Sequence, residues 1–537
     1  MQFPISKMWC SLWFLGLILF GGCPSRATAQ IIPADTVFRI NNIEATLNAD
    51  GLLFSRPGVS RPGYAVQAGG DVHTLTGSAL WIGGLDQHGK LHQAAMTYRQ
   101  FGTDFFPGPI RMNGKPAAPA SWNKIYCVDR SMIRQQQGFA DGHSGKHRQF
   151  KMVNNEIPDP ILNWPGNGPV GFNATIAPYV DQNNNNRYDP EKGDYPYFDG
   201  DKACFMVIND AYGPHQESLG TPLGVELHAI VYAYHAPDNP ALNNTIFVEY
   251  TLVNRSSNTY HELYLGQWVD FDIGGPDDDY VGSDPGLDMC YAYNADAWDA
   301  GSDTIRGFEN RPPAQALVFL DQSMRSAIHY EDRRDSKVGH PGRNEYHYYR
   351  YSRGKYLNGE SRPSPFSFTG NPCQQTSGTQ IGQAPYDQRM VAGTGPFTLG
   401  TEGAARFLKL TVAFVTGPKP GASASSHREA VCGLRHRVAQ IKGFLSSVPA
   451  PKTSSSPTLA VFPNPVIRPG IMQVNHGPYA DHLKLVEFSG RVVASYQCRA
   501  TSRTTSIATE GLSPGIYWIQ VISKKGSTSS AKVLIQE

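Results

Sequence analysis

The chain has 537 residues, more than a single hydrophobic core normally supports, so we expect several domains. Its 47 Lys and Arg nearly balance its 46 Asp and Glu, which argues against a nucleic-acid-binding protein and against an acidic, solvating chain. Charged residues are only 17%, hydrophobic residues 40%, and the 54 Gly and 40 Pro favour many turns and short strands, so the composition predicts an extracellular, β-rich protein.

Residues 1–29 have the features of a secretory signal peptide. A positive residue, Lys7, precedes an apolar run over 8–22, and Ala27 and Ala29 fit the small-x-small pattern before a cleavage site. We expect cleavage after Ala29. Two alternatives are a lipoprotein anchored at Cys23 and a retained anchor, although the apolar run is shorter than the roughly 20 residues that a membrane span requires. We therefore predict a mature protein without a transmembrane span.

Six cysteines remain after the signal peptide, and none forms a Cys-x-x-Cys pair. Their wide spacing disfavours a structural zinc site, whose ligands usually come in close pairs. In an oxidising compartment some of them could form disulfides, but buried free thiols fit equally well, and the connectivity stays open. The six are Cys127, Cys204, Cys290, Cys373, Cys432 and Cys498.

The N-terminal region, residues 30–155, is predicted to be β-rich. Residues 78–85 alternate like a strand that runs into a glycine turn, 86–89 form a hairpin turn, and 90–98 are the return strand.

The next region, residues 156–447, is predicted to be a β-sandwich body with long loops. Strands at 245–254 and 262–271, joined by a short turn, are interpreted as neighbouring antiparallel strands, and 405–416 as a buried strand. A single covering helix is predicted from Ser425 or Ser426, with apolar residues at three- and four-residue steps. The tyrosine-rich stretch 346–351 is interpreted as a strand in preference to a sugar- or partner-binding stripe.

Residues 448–458 form a Ser/Pro-rich linker, and residues 459–537 form a separate small domain. About seven short strands, separated by glycine turns, predict an immunoglobulin-like β-sandwich. The whole chain is thus predicted to be mostly β, with several antiparallel β-sandwiches and one covering helix.

Three short motifs mark this last domain: an opening Pro-Asn-Pro, a central Gly turn and a Leu-x-x-Gly-x-Tyr element. Together they resemble the type A C-terminal sorting domain of the bacterial type IX secretion system. The resemblance implies export across the outer membrane of a Gram-negative bacterium, recognition by the secretion machinery, and removal with release or attachment to surface lipopolysaccharide. The residues that carry it are Pro463, Asn464, Pro465, Gly490, Leu512, Gly515 and Tyr517.

Segments of the body also resemble an uncharacterised group of large secreted cargo proteins of the same system. These segments are 80–84, 104–109, 163–166, 267–270 and 395–399. Because no activity is established for that group, this resemblance implies no chemistry.

The strongest candidate site in the body is the loop at residues 181–194. Its oxygen-bearing side chains fall at positions 1, 3, 5 and 9, as in EF-hand-like and thrombospondin-type calcium loops. Position 6 is Asn186 where those loops have Gly, and position 12 is Lys192, so the bidentate carboxylate must come from Glu191 or Asp194. We predict a structural calcium ion here, with an Asn-rich turn without metal as the alternative. The candidate ligands are Asp181, Asn183, Asn185, Arg187 (through its carbonyl), Asp189, Glu191 and Asp194.

A second acidic cluster holds six carboxylates between residues 270 and 284. Such a cluster is repulsive unless it is solvated or bridged by a cation. A second calcium site, a solvated acidic loop, and the paired carboxylates of a glycosidase all fit the pattern. The candidate ligands are Asp270, Asp272, Asp277, Asp279 and Asp284, and Asp278 completes the cluster.

No local hydrolase signature is found: the sequence lacks His-Glu-x-x-His, Gly-x-Ser-x-Gly and Walker motifs, so no catalytic residue is predicted. We expect an exported surface or secreted protein whose body is a non-enzymatic adhesion or glycan-binding module stabilised by calcium. The alternative is a secreted hydrolase that acts on polysaccharide or protein.

Overall fold

The structure is a computed structural model, and it describes residues 32–56, 62–67, 69–144, 157–183, 185–301, 305–331, 337–370, 372–374, 385–423, 426–447 and most of 460–536. Within that last stretch, residues 463–465, 477–479, 488–491, 499–503, 514 and 524–527 are not described. The predicted signal peptide and linker lie outside the described residues. The chain divides into two compact units, Met1–Ile441 and Lys442–Glu537.

The first unit is built on two large antiparallel sheets. The first sheet has the order β1-β2-β3-β4-β13-β20-β19, with β5 paired to β4. Its strands are β1 (Asp35–Arg39), β2 (Ile43–Asn48), β3 (Tyr64–Val66), β4 (His73–Leu85), β5 (Leu91–Ala94), β13 (Tyr260–Phe271), β19 (Ser326–Glu331) and β20 (Gln388–Leu399).

The second sheet has the order β14-β15-β18-β21-β12-β11-β10-β6, with β7 paired to β10. Its strands are β6 (Phe106–Pro107), β7 (Tyr126–Asp129), β10 (Lys202–Asn209), β11 (Val225–Ala233), β12 (Thr245–Asn254), β14 (Asp279–Asp284), β15 (Met289–Asn294), β18 (Gln315–Phe319) and β21 (Phe407–Thr416). Two small ribbons pair β8 (Tyr179–Val180) with β9 (Tyr195–Pro196) and β16 (Trp298–Gly301) with β17 (Arg306–Asn310).

A single hydrophobic cluster draws its side chains from both large sheets, which makes the unit a β-sandwich. Trp81 and Trp268 from the first sheet are fully buried in it. The Tyr64 hydroxyl reaches across the interior and donates to the Phe414 carbonyl of the second sheet at 3.2 Å. The mostly β architecture predicted from the sequence is confirmed.

Strands on the two sides of residue 155 pair within the same sheets: β4 pairs with β13, and β7 pairs with β10. The predicted hairpin after residue 78 is present as β4 and β5. The interpretation of 245–254 and 262–271 as neighbouring strands is wrong. β12 lies between β11 and β21, whereas β13 lies between β4 and β20, because the connecting turn carries the chain from one sheet to the other.

Four α-helices are present among the described residues, where the sequence predicted one. They are α1 (Arg130–Ser144), α2 (Asp159–Leu162), α3 (Glu345–Ser352) and α4 (Ser426–Ser447). α4 is the predicted helix. α3 contradicts the strand predicted for 346–351. Asn344 caps it by accepting from the Tyr346 amide, and Tyr348 and Tyr351 then lie three residues apart on one buried face.

Two disulfides join distant parts of the first unit: Cys127 with Cys204, and Cys373 with Cys432. Cys290 and Cys498 are buried thiols. Cys127 and Cys204 face each other in the register of β7 and β10, so the pairing that spacing could not give follows from the sheet.

The second unit contains the seven predicted strands and one more, β23. They form a three-stranded sheet, β22-β24-β27, and a five-stranded sheet, β23-β29-β28-β25-β26, around a core of its own. The strands are β22 (Ala460–Phe462), β23 (Val466–Ile467), β24 (Ile471–Asn475), β25 (Ala480–Glu487), β26 (Val492–Gln497), β27 (Thr504–Ala508), β28 (Gly515–Ser523) and β29 (Thr528–Gln536). In neither unit does the described part of the chain include a helix whose length and apolarity would let it span a membrane.

Candidate functional site

The 181–194 loop is held by backbone amides that donate to its own side chains. The Asp181 carboxylate accepts from the amides of Asn185 at 3.2 Å and Asn186 at 2.7 Å. Asn186 has φ +59°, the left-handed conformation for which calcium loops normally use Gly. The turn expected from the sequence therefore forms, and the oxygen-bearing residues at positions 1, 3 and 5 lie within it.

Asp189 and Asp194 lie at the far end of this loop. Asp189 accepts from the side-chain amides of Asn183 and Asn185, both at 2.9 Å, and from the Lys192 ammonium at 2.7 Å. The hydrogen bond from Lys192 lowers the pKa of Asp189 to about 2. Asp194 is fully buried, which raises its pKa, and it accepts from two loop amides. The side chains of Arg187 and Glu191 are exposed.

In the structure, two residues of the second acidic cluster lie beside a third carboxylate from a distant part of the sequence. Oxygens of Asp270, Asp272 and Asp387 all lie within 4.8 Å of one another, and in the described part of the chain no other acidic, His or Cys set of three is that close. Asp270 lies near the end of β13, Asp272 follows that strand, and Asp387 immediately precedes β20. Asp387 was missed because it lies 115 residues beyond Asp272 in the sequence.

The described contacts of this trio include one arginine and two hydroxyls. Arg389 Nε lies 3.2 Å from Asp270 Oδ1, and its Nη1 lies 3.0 Å from Asp387 Oδ2. The Tyr98 hydroxyl donates to Asp270, and the Thr76 hydroxyl donates to Asp272 Oδ2. Asp270 and Arg389 face each other in the register of β13 and β20.

Burial dominates the electrostatics of the trio. Asp270 is 1% exposed and Asp272 is 5% exposed. Burial, followed by the charge of Asp387, raises the pKa of Asp272 to about 6. Burial raises the pKa of Asp270 well above its ordinary value although Arg389 opposes the shift. Such inaccessible carboxyls are unsuited to act on a substrate.

The other acidic residues of the cluster lie apart from the trio's three converging oxygens. Asp277 is exposed, and Asp279 Oδ2 accepts from the Ile273 amide at 2.8 Å. Asp284 accepts from the Gly286 amide at 3.0 Å and pairs with Arg435. Burial raises the pKa of Asp278 to about 6.

A groove of about 280 Å³ lies on the outer face of the second sheet, and we call it the outer groove. Strand alternation explains its position, because the neighbours of its lining residues along each strand point into the core. Phe407, which is 49% exposed, stands at its edge. The lining residues are Asn173, Thr175, Ile176, Pro178, Phe205, His228, Ile230, Glu249, Thr251, Val253, Arg255, Phe407 and Lys409.

Charged groups of both signs border the outer groove. Lys409 Nζ lies 3.1 Å from Glu249 Oε1, and Arg255 donates to Glu226 at 2.7 Å. Burial opposes ionisation of Glu226, but hydrogen bonds from His228 and Arg255 outweigh it and lower its pKa to about 2. The groove thus combines an exposed aromatic ring with fixed polar groups, the combination that sugar- and peptide-binding clefts use. The sequence pattern did not reveal it.

A third group of titratable residues is buried next to the first sheet. Nδ1 of His215 lies 2.7 Å from the Gln93 carbonyl oxygen, and Nε2 lies 2.8 Å from the Asp210 carbonyl oxygen. Carbonyl oxygens only accept hydrogen bonds, so the ring supplies a donor to this buried backbone. Carboxylate oxygens of Asp104 and Asp210 lie 3.7 Å from the two ring nitrogens. Full burial gives this group a structural role.

Four of the sorting-motif residues, Pro463, Asn464, Pro465 and Gly490, lie outside the described residues. The other three are described. The Leu512 carbonyl accepts from Arg468, Gly515 begins β28, and the buried Tyr517 hydroxyl donates to the Ser513 carbonyl at 2.9 Å. The Leu-x-x-Gly-x-Tyr element thus closes the turn into the central strand of the five-stranded sheet.

Comparison with known proteins identifies the second unit. Residues 460–536 match the family model of the secretion system C-terminal sorting domain. No curated protein matches the chain.

The solved structures with distant similarity to this chain include the following two. One is a polysaccharide lyase, with 10% identity and a TM-score of 0.19 over 57% of this chain, which spans only 34% of that protein. The other is PorZ, an essential bacterial surface component of the type-IX secretion system of Porphyromonas gingivalis, with 10% identity and a TM-score of 0.14 over 94% of this chain and 75% of that one. Neither similarity is close enough to carry an argument.

Proposed function

We propose that this chain, which carries a secretion-system C-terminal sorting domain at residues 460–536, is a type IX secretion cargo whose body is a non-enzymatic glycan-binding module. The sorting domain is the observation that carries the export role. It implies interaction with the type IX secretion machinery and a surface or secreted location. We also propose that the protein passes through the periplasm of a Gram-negative cell and is attached to lipopolysaccharide.

Deletion of residues 459–537 tests the export role. The sorting domain has its own core and forms a separate compact unit, so its loss should leave the body folded. We expect the truncated protein to accumulate in the periplasm and to disappear from the surface and medium, as measured by fractionation and immunoblotting. A truncated protein that still reaches the surface in normal amounts would refute the assignment, and protease resistance of the periplasmic form controls for misfolding.

The outer groove supports the binding role of the body. Phe407 offers an exposed ring on which a sugar could stack, and the exposed Lys409 ammonium offers a hydrogen-bond donor beside it. The tyrosine-rich stretch, an alternative sugar site in the sequence, is instead a helix with Tyr348 and Tyr351 buried. No described observation favours the secreted hydrolase over this role.

Removal of the groove's aromatic ring should weaken glycan binding. We expect Phe407→Ala to reduce affinity for any polysaccharide that the full-length protein retains on a glycan array by about tenfold, the loss of about 1.4 kcal/mol expected for one stacking ring. The control is Trp298→Ala, because Trp298 is 56% exposed and does not line the groove. Equal affinity of the Phe407→Ala and Trp298→Ala proteins for the glycan would contradict glycan binding in the outer groove.

We also propose that a calcium ion bound in the 181–194 loop stabilises the body. Four carboxylates lie in the loop, and Arg187 and Lys192 are its only basic residues, so a bound divalent cation would offset the remaining repulsion. A structural ion fits better than a catalytic one because the loop's side chains are already tied to its own backbone.

Chelation should therefore lower the melting temperature of the protein. Saturation at a hundredfold excess over Kd contributes about 2.7 kcal/mol, and Asp181→Ala should remove the part of the difference between calcium and chelator that this loop contributes. Magnesium should substitute poorly, because it demands tighter octahedral geometry. Asp238→Ala, at an exposed position elsewhere, should keep the full chelator effect. An Asp181→Ala protein with the same chelator effect as Asp238→Ala would contradict calcium binding by this loop.

A further inference from the structure

The buried trio of Asp270, Asp272 and Asp387 includes a carboxylate oxygen, Asp272 Oδ1, that the described residues do not satisfy. Asp272 is 5% exposed, its Oδ2 accepts from Thr76, and its Oδ1 has no hydrogen-bond partner among the described residues. A buried carboxylate oxygen without a donor is costly, so native proteins normally supply a donor, a water or a cation.

The three carboxylates of the trio lie close together, and burial strengthens the repulsion between them. Arg389 contacts two of them, and the hydroxyls of Tyr98 and Thr76 donate hydrogen bonds but add no charge. A divalent cation between the buried Asp270 and Asp272 and the partly exposed Asp387 would offset that repulsion.

We propose that Asp270, Asp272 and Asp387 bind a calcium ion between the end of β13 and the start of β20. Oxygen-only ligands select a hard cation. The three oxygens lie within 4.8 Å of one another, a span that one calcium ion covers because its oxygen ligands lie at about 2.3–2.6 Å on each side. Two of these residues belong to the acidic cluster of the sequence, but the third comes from a distant strand.

This site is independent of the 181–194 loop, and calcium content separates the two. The full-length protein is stripped with chelator, dialysed against micromolar calcium, and analysed for bound metal by mass spectrometry. In an Asp181→Ala background, which removes the loop's proposed ion, we expect one calcium per chain. Adding Asp272→Asn should reduce that content to near zero, because it removes a ligand charge at nearly constant volume.

The matched control is Asp277→Asn in the same background. Asp277 belongs to the same acidic cluster but is exposed, and it should leave the bound calcium unchanged. Asp387→Asn repeats the test from the other strand and replaces Asp272→Asn if that variant does not fold. Luminescence of bound terbium, excited through the neighbouring Tyr98 and Trp268, should be lost in parallel.

Equal calcium content in the Asp272→Asn and Asp277→Asn proteins would overturn the proposal. The absence of bound calcium in the Asp181→Ala parent would overturn it too, and would leave the trio as carboxyls that share protons. If instead the 181–194 loop binds no calcium, Asp181→Ala should leave the calcium content of the otherwise unchanged protein as it was.

Discussion

Replacement of His215 by Leu should lower the free energy of unfolding by about 1–3 kcal/mol, the cost of leaving a buried acceptor without its donor. The ring nitrogens lie 2.7 Å and 2.8 Å from the carbonyl oxygens of Gln93 and Asp210, and two buried carboxylates flank the ring. The variant also removes the ring that lies beside Asp104 and Asp210. Both carboxylates keep backbone donors, Asp104 from Ala95 and Glu217 and Asp210 from Leu223 and Val225, so the loss should come mainly from the carbonyl that the ring no longer satisfies.

Urea unfolding measures this loss. His88→Leu serves as the control, because His88 is exposed and should change stability by less than about 0.5 kcal/mol. A loss no larger than that of His88→Leu would contradict a structural role for the His215 ring.

Replacement of Glu217 by Gln should raise stability at alkaline pH. Burial, and the neighbouring charge of Asp104, raise the pKa of Glu217 from its ordinary 4.5 to about 7, and its Oε2 has no partner among the described residues. The folded state therefore binds this proton more tightly than the unfolded state. Stability from this group is highest below about pH 4.5 and falls as the pH rises to about 7.

The size of the change follows from the shift. A pKa raised from 4.5 to about 7 corresponds to about 3 kcal/mol of free energy of unfolding, which the neutral glutamine side chain of the variant should recover at pH 8 and not at pH 4. Thr97 and Tyr348, which donate to Oε1, can donate to the amide oxygen of the variant. The measurement is the stability difference between variant and parent across this range, with the exposed Glu402→Gln as control. A difference that does not change with pH would contradict the raised pKa.

Local sequence patterns predicted individual strands better than they predicted which strands pair in a sheet. The second unit was predicted strand by strand, because each short apolar run there is bounded by turn residues such as Gly470 and Gly511. The strands at 245–254 and 262–271 were also found, but a short turn between two strands normally makes a hairpin, and nothing in the turn shows that the chain changes sheets. For α3, the high strand propensity of tyrosine favoured a strand, whereas in the structure Asn344 caps a helix by accepting from the Tyr346 amide.

The two acidic candidate sites show the same contrast between local sequence patterns and strand pairing. The 181–194 loop is local in sequence, so its spacing alone identified the residues that the structure brings into one turn. The buried trio is not local. Asp270 and Arg389 meet only through the register of β13 and β20, and Asp387 is placed by the same pairing. A single sequence contains no record of that register, so Asp387 could not be found from spacing, and the exposed Asp277 could not be set aside.

The strand order of the two large sheets has a consequence for how the chain reaches this fold. In the first sheet β20 lies between β13 and β19, and in the second β21 lies between β18 and β12. These are the last strands of the sandwich to be synthesised, yet each joins two parts of its sheet that formed from earlier residues. Until residues 388–416 have emerged, both sheets present open edges that can pair with other chains. The body should therefore fold after synthesis rather than during it, and slowly, with the nascent chain dependent on protection from aggregation.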